Sequence, residues 1–255
     1  MNITLIIGTV ISIGLVIFGI FNGGEIGMFI DPPSLAITVG GTFGVLIAIS
    51  PLSMLKKLPK LMKIILFPPK YDPQKYIADI VEYAKIARSK GLLALEDSAN
   101  KCEDPFMKQS LMLIVDANDS SKVRQMLEDS LGFMEERHEE GMNFFSKGGS
   151  LGPAFGMLGT LVGLVIMLND LEGGDLGPAM ATALITTFYG SFLANIVFAP
   201  MEAALKNAHA DEMLCMQIVV EGVMSIASGS NPRLIQEKLE FMLPKGSRTG
   251  DSSAE

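Results

Sequence analysis

Residues 177–200 read GPAMATALITTFYGSFLANIVFAP, a stretch without a single Asp, Glu, Lys or Arg. It is long enough to cross a bilayer as a helix, which takes about 20 apolar residues. Three further stretches share the property: Ile3 to Phe21, Ser34 to Ser50 and Ser150 to Leu168. The sequence therefore predicts an all-α, polytopic membrane protein with four transmembrane helices. The second span is short and leans on its flanks. The first lacks the basic start of a signal peptide, and no small-residue cleavage site follows it, so it reads as a retained span.

Composition agrees. Of 255 residues, 49% are hydrophobic and only 19% charged, with a mean hydropathy of +0.38. That charge content is low for a soluble chain of this length. The net charge of -8 argues against a nucleic-acid partner. Cys102 and Cys215 stand in no metal or redox spacing and read as two reduced, buried thiols. His138 lies among Glu135, Glu136, Glu139 and Glu140, and His209 is isolated. Both read as parts of solvated helix faces rather than cation sites.

Basic residues give the orientation. The segment Asn22 to Pro33 contains Glu25 and Asp31, and Asn169 to Leu176 contains Asp170, Glu172 and Asp175, without Lys or Arg in either. The segment after span two carries Lys56, Lys57, Lys60, Lys63 and Lys70 and no acid. The two acidic loops are expected outside, and both termini and residues 51–149 in the cytoplasm.

Five regions follow. Residues 1–50 hold spans one and two. Residues 51–149 form a cytoplasmic helical domain, opening with an amphipathic interface helix over Pro51 to Phe67. Residues 150–200 hold spans three and four, residues 201–243 a cytoplasmic helical extension, and residues 244–255 a disordered tail. Asp72-Pro73 and Asp104-Pro105 are helix starts, and Gly91 is a helix stop. Ile77, Ile80, Val81 and Ala84 share one face. From Ser121 no breaker interrupts the chain before span three, although Gly148, Gly149 and Gly152 are expected to loosen the join. Span four is expected to continue past a bend at Pro200 to Ala227, and a last helix to run from Asn231-Pro232 to near Leu243.

No nucleophile–base set, phosphate loop or metal motif appears, so the chain does not read as an enzyme, and no cofactor is implied. Small residues mark close helix packing: Gly40 with Gly44, and Gly156, Gly159 and Gly163 with Thr160 on one face. They pack either within the subunit or around a partner helix. Thr187, Ser191 and Asn195 form a polar stripe along span four, with Thr182, Thr186 and Tyr189 beside it. A buried amide in hydrocarbon is costly, which favours a face toward water or a partner. No span carries a titrating group other than Tyr189, so an ion path here needs a carboxylate from another protein.

With these residues in hand, the chain resembles the MotA/PomA family, the larger subunit of the bacterial flagellar stator, over nearly its whole length. The motifs are residues 152–163, GPAFGMLGTLVG; residues 186–200, TTFYG through Asn195 to Pro200; and residues 87–96, ARSKGLLALE. The resemblance implies a homopentameric ring around a dimer of a MotB-like single-span partner that supplies the membrane aspartate. It implies passage of H+ or Na+ and torque on the rotor protein FliG. It assigns Arg88, Lys90 and Glu96 to the rotor contact, Thr160 and Thr187 to the ion path, and Pro153 and Pro200 to coupling. Thr186, Ser191 and Asn195 join the expected lining of the ion path. Thr160, Thr186 and Thr187 give a hydroxyl-rich pattern of the sodium type, but the ion stays open.

Plainer readings stand beside these. Arg88 and Glu96 serve equally as solvated helix ends, and Pro153 as the first residue of a helix. An ExbB/TolQ-type motor resembles spans three and four but has three spans. A non-conducting membrane scaffold is the other alternative.

Overall fold

The computed structural model describes residues 1–116, 119–169 and 176–248, and every regular element among them is helical. The helices are α1 (Ile3–Gly23), α2 (Pro32–Ile49), α3 (Leu52–Leu66), α4 (Pro73–Lys90), α5 (Leu95–Lys101), α6 (Pro105–Asp116), α7 (Ser120–Asn169), α8 (Leu176–Ala227) and α9 (Pro232–Glu240). Four of them, α1, α2, α7 and α8, are long and apolar enough to cross a membrane. Asp170, Glu172 and Asp175 lie outside the described residues, as do residues 249–255 of the expected tail.

The caps follow from local chemistry. Asn2 accepts a hydrogen bond from the Leu5 amide at 3.2 Å, Asp72 from Gln74 at 3.1 Å and Asn231 from Arg233 at 3.1 Å. Each satisfies a helix-start amide that has no partner within the helix. Gly91 ends α4 at φ 86°, a conformation that side chains disfavour.

Three features depart from the sequence reading. α7 runs unbroken through Gly148, Gly149, Gly152 and Pro153, without the expected loosening. The glycines there sit against α8: a Cβ on Gly152 would meet the Gly190 carbonyl at 2.9 Å, and one on Gly148 would strike the Phe198 ring. Packing outweighs the weak helix propensity. Pro153 is inside the helix, which removes its reading as a helix-start proline. The 3-10 turn Leu92–Ala94 and α5 were not foreseen, since seven residues give too little periodicity to read.

The chain divides into two compact units. The first comprises Met1–Pro69 and His138–Ala208. Its core gathers Leu46, Met54, Ile65, Phe144, Phe145 and Phe198. α3 lies on α7 there, with Leu61 over Gly141 and Lys57 paired to Glu140 at 2.7 Å. The second comprises Lys70–Arg137 and His209–Glu255. The predicted face Ile77, Ile80, Val81 and Ala84 is buried there with Val123, Leu127 and Leu131. Ile80 seats over Gly222, where any Cβ would strike it at 2.6 Å.

Candidate functional site

In the first unit, α7 meets α8 along a ridge of glycines. A Cβ on Gly156 would stand 3.0 Å from the Thr186 carbonyl, and one on Gly163 would stand 2.8 Å from that of Ala179. One on Gly159 would overlap the Thr186 side chain at 2.6 Å from its Cβ. Gly156, Gly159 and Gly163 therefore pack α7 against α8 within the chain. Gly40 and Gly44, the other predicted pair, have no neighbour within 4 Å; Gly41 is the residue in contact, under the Phe155 ring.

The close approach places two hydroxyls together. Thr160 Oγ1 and Thr187 Oγ1 are 2.6 Å apart. Thr160 Oγ1 also lies 2.9 Å from the Ala183 carbonyl and 3.1 Å from that of Gly156. Each hydroxyl has one proton, and carbonyls only accept. Either hydroxyl can donate to the other, Thr187 Oγ1 also lies 3.4 Å from the Ala183 carbonyl, and in each arrangement the exposed Thr187 oxygen keeps a lone pair to offer. The pair thus offers oxygen ligands and a rotatable proton, but no charge. A cation beside it requires a counter-charge from outside these helices.

Thr187, Ser191 and Asn195 are exposed along α8, and the Asn195 amide donates to the Ser191 carbonyl at 3.0 Å. Thr186 lies apart from the exposed stripe. It is fully buried, with Oγ1 3.0 Å from the carbonyls of Thr182 and Ala183, and its own carbonyl accepts from Thr38 Oγ1 at 3.4 Å. Its side chain packs against Gly159 of α7, and its carbonyl faces α2 on a second side of α8.

That second side carries a polar seam missed in the sequence. Ser34, Thr38 and Thr42 of α2 are all fully buried. Ser34 Oγ lies 3.3 Å from the Thr182 carbonyl, and Asp31, capping α2, accepts from the Ser34 amide at 3.0 Å and from Thr182 Oγ1 at 3.4 Å. Tyr189 donates its hydroxyl to the Phe29 carbonyl. The four-residue spacing of Ser34, Thr38 and Thr42 was a signal available in the sequence.

Pro200 follows a π turn, Leu193–Phe198. The Ala199 amide donates to the Ala194 carbonyl, and Pro200 has no N–H to give. The Asn195 carbonyl therefore receives neither its four-residue nor its five-residue donor. Beside it a groove of about 370 Å3 separates α1 from α8, bordered by Asn2, Thr9, Ser12, Asn195, Pro200 and Asn207. Pro153 is exposed on α7.

In the second unit, Arg88 and Lys90 occupy the last turn of α4, and Glu96 the first turn of α5. All three flank the Gly91 turn and are exposed. Elsewhere in that unit Glu221 holds Arg124 at 2.8 Å and Lys238 at 2.6 Å, and these two cations keep its carboxyl below the usual range. Cys102 and Cys215 are unpaired, and burial pushes the Cys215 thiol up to about 12, so it stays protonated and unreactive. Among the described residues, no three His, Cys, Asp or Glu side chains come together as a metal site.

Known proteins match the chain from end to end. Residues 98–218 match the MotA/TolQ/ExbB proton channel family, and residues 6–90 match the motility protein A N-terminal family. Motility protein A of Borreliella burgdorferi is 40% identical over 96% of this chain and 95% of its own. Chemotaxis protein PomA of Vibrio alginolyticus is 37% identical over 97% and 98%. Among solved structures, the flagellar MotAB stator complex of Bacillus subtilis aligns with a TM-score of 0.84 at 28% identity, covering 99% of both chains. With both halves matched in order and the helices superposing on a stator, this chain belongs to the MotA/PomA family.

Proposed function

We propose that this chain is the ion-conducting stator subunit of a bacterial flagellar motor, a multi-pass protein of the inner membrane with both termini cytoplasmic. End-to-end likeness to motility protein A carries the reading. The Thr160–Thr187 hydroxyl pair, in spans that carry no Asp or Glu, gives it chemistry. A single-span MotB-like partner supplies the membrane aspartate, and five copies of this chain surround a dimer of that partner. H+ or Na+ reaches the aspartate past Thr160 and Thr187, and Ser191 and Asn195 line the continuation of the path.

Holding a charge in the membrane costs several kcal/mol, so neutralising the aspartate shifts the balance between two ring positions. Pro153 and Pro200 interrupt helix bonding where such a change is least costly, and couple it to the cytoplasmic region, residues 51–149 and 201–243. There Arg88, Lys90 and Glu96 face the rotor protein FliG. An ExbB/TolQ-type role shares the family of residues 98–218, but the match of residues 6–90 to motility protein A favours the flagellar role.

Co-expression with a MotB-like partner in a motility-deficient strain tests this. Swimming that requires sodium establishes a sodium-driven stator. Sodium-independent swimming that a protonophore stops establishes a proton-driven one. An assembled complex that conducts ions but never restores swimming, even with a matched rotor, rejects the flagellar role.

A further inference from the structure

α3 is tied to the ends of two spans. Only Ser50 and Pro51 separate its first residue, Leu52, from Ile49, where the second span ends. At its other end the Leu66 carbonyl accepts a hydrogen bond from the Asn2 amide at 2.8 Å, and the first span begins at Ile3. A helix of 15 residues is about 22 Å long. Strung between the ends of two membrane helices, α3 lies along the membrane surface rather than descending from it.

Its two faces have different occupants. Met54, Leu58, Leu61 and Ile65 share one side at helical spacing and pack into the core of the first unit. The apolar face is therefore used by the protein itself and is not left for insertion into lipid. Lys56, Lys60 and Lys63 share the opposite side and are all exposed. None of these three enters an ion pair among the described residues, whereas the neighbouring Lys57 is held by Glu140. No acid occurs from Pro51 to Lys70. Lys63 suits the last turn of its helix, but Lys56 and Lys60 have no such local purpose. Leu52, 67% exposed, and Phe67, 56% exposed, extend the row at its two ends. A basic orientation signal needs only the number of charges. Here the charges are in register on one face, turned away from the protein and flanked by apolar side chains.

We propose that the Lys56–Lys60–Lys63 face of α3 docks anionic phospholipid headgroups of the inner leaflet. The lysine stems lie along the helix and carry their ammonium groups to lipid phosphates, at the depth where a negative membrane surface attracts cations. Leu52 and Phe67 rest at the edge of the acyl layer. The occupant is lipid because both ends of the helix stand where spans leave the membrane. This surface rests on the cytoplasmic orientation proposed above, and not on the flagellar role.

The test uses this chain co-purified with its MotB-like partner. The complex is equilibrated with mixed micelles of phosphatidylglycerol and phosphatidylcholine in equal amounts, and the retained lipid is identified by native mass spectrometry. Wild type is expected to prefer phosphatidylglycerol by about threefold or more, and to lose much of that preference in about 0.5 M NaCl. Lys56→Gln, Lys60→Gln and Lys63→Gln together bring the ratio close to even, and the three Lys→Arg replacements keep it. Ring assembly and melting in phosphatidylcholine alone stay unchanged in both variants, because these side chains pair with nothing in the chain. No preference in wild type, or the same preference in the Gln variant, overturns the surface. Loss of the ring in the Gln variant with the lipid preference kept places a neighbouring copy on this face and also overturns it. Ser53→Cys, at an exposed position of α3, separates the two readings. Labelling by an impermeant maleimide from outside intact spheroplasts, above the wild-type level, rejects the cytoplasmic orientation and the surface with it. Protection from that label without any lipid preference rejects the surface alone.

Discussion

At Thr187 a single hydroxyl has two tasks: it completes the hydrogen bond to Thr160 and leaves an oxygen toward the exposed face of α8. Thr187→Val keeps the shape and removes both. Ion flux through the stator is expected to fall at least tenfold with ring assembly retained, read by growth arrest or dye response in cells carrying an unplugged complex. Thr186→Val is expected to behave differently, since the Thr186 side chain is fully buried against Gly159 of α7. It should lower thermal stability by about 1 kcal/mol and alter flux only in proportion to assembled protein. Thr42 is the opposite case. Its Oγ1 is buried and has no hydrogen-bond partner. Replacing it with Val removes an unsatisfied polar atom at nearly constant volume, so melting in detergent is expected at or above the wild-type temperature.

Helix elements give different predictions, because backbone contact leaves no room for adjustment. Gly163 sits with its prospective Cβ 2.8 Å from both the Ala179 carbonyl and the Ala183 Cβ. Gly163→Val drives α7 and α8 apart, at a cost of about 1–3 kcal/mol. Loss of the assembled ring in native gels is the expected readout, with Gly40→Ala, which meets nothing within 4 Å, as the tolerated control. Pro200→Ala restores an N–H that in a regular α-helix donates to the Ile196 carbonyl, favouring regular α-helix over the π turn before it. Torque measured on tethered cells is expected to fall severalfold with ion flux less affected. Equal torque and flux with Ala in place of Pro200 removes its coupling role. Arg88→Glu belongs with the α4–α5 turn proposed to face the rotor, and is expected to reduce swimming while flux persists.

At the scale of the whole molecule, the two units differ in what holds them. The first relies on apolar packing and small-residue contacts, and the second adds an ion triad of Arg124, Glu221 and Lys238. The two cations lower the Glu221 carboxyl below its usual 4.5. Its contribution is therefore present above the usual carboxylate range and lost as pH falls through the lowered value. The melting temperature is expected to drop on acidification below about 4.5, and Glu221→Gln, less stable at neutral pH, to show a shallower drop over the same window.

The four spans were legible because hydrocarbon excludes charge over a fixed thickness, so length and composition suffice to find them. Helix starts at Asp72, Asp104 and Asn231 and the stop at Gly91 were likewise local, each a side chain or a conformation acting within one turn. The core face of α4 followed from spacing alone. Continuity of α7 through three glycines and a proline could not be read in the same way, because it depends on what α8 places against them. Thr186 and Thr187 are adjacent in sequence, yet one is buried against Gly159 and the other is exposed beside Thr160. Sequence determined which segments are helical and which residues are polar within them. Only the tertiary structure decided which side of each helix is covered, because the rotation of one helix against its neighbour is set by contacts between residues distant in the chain.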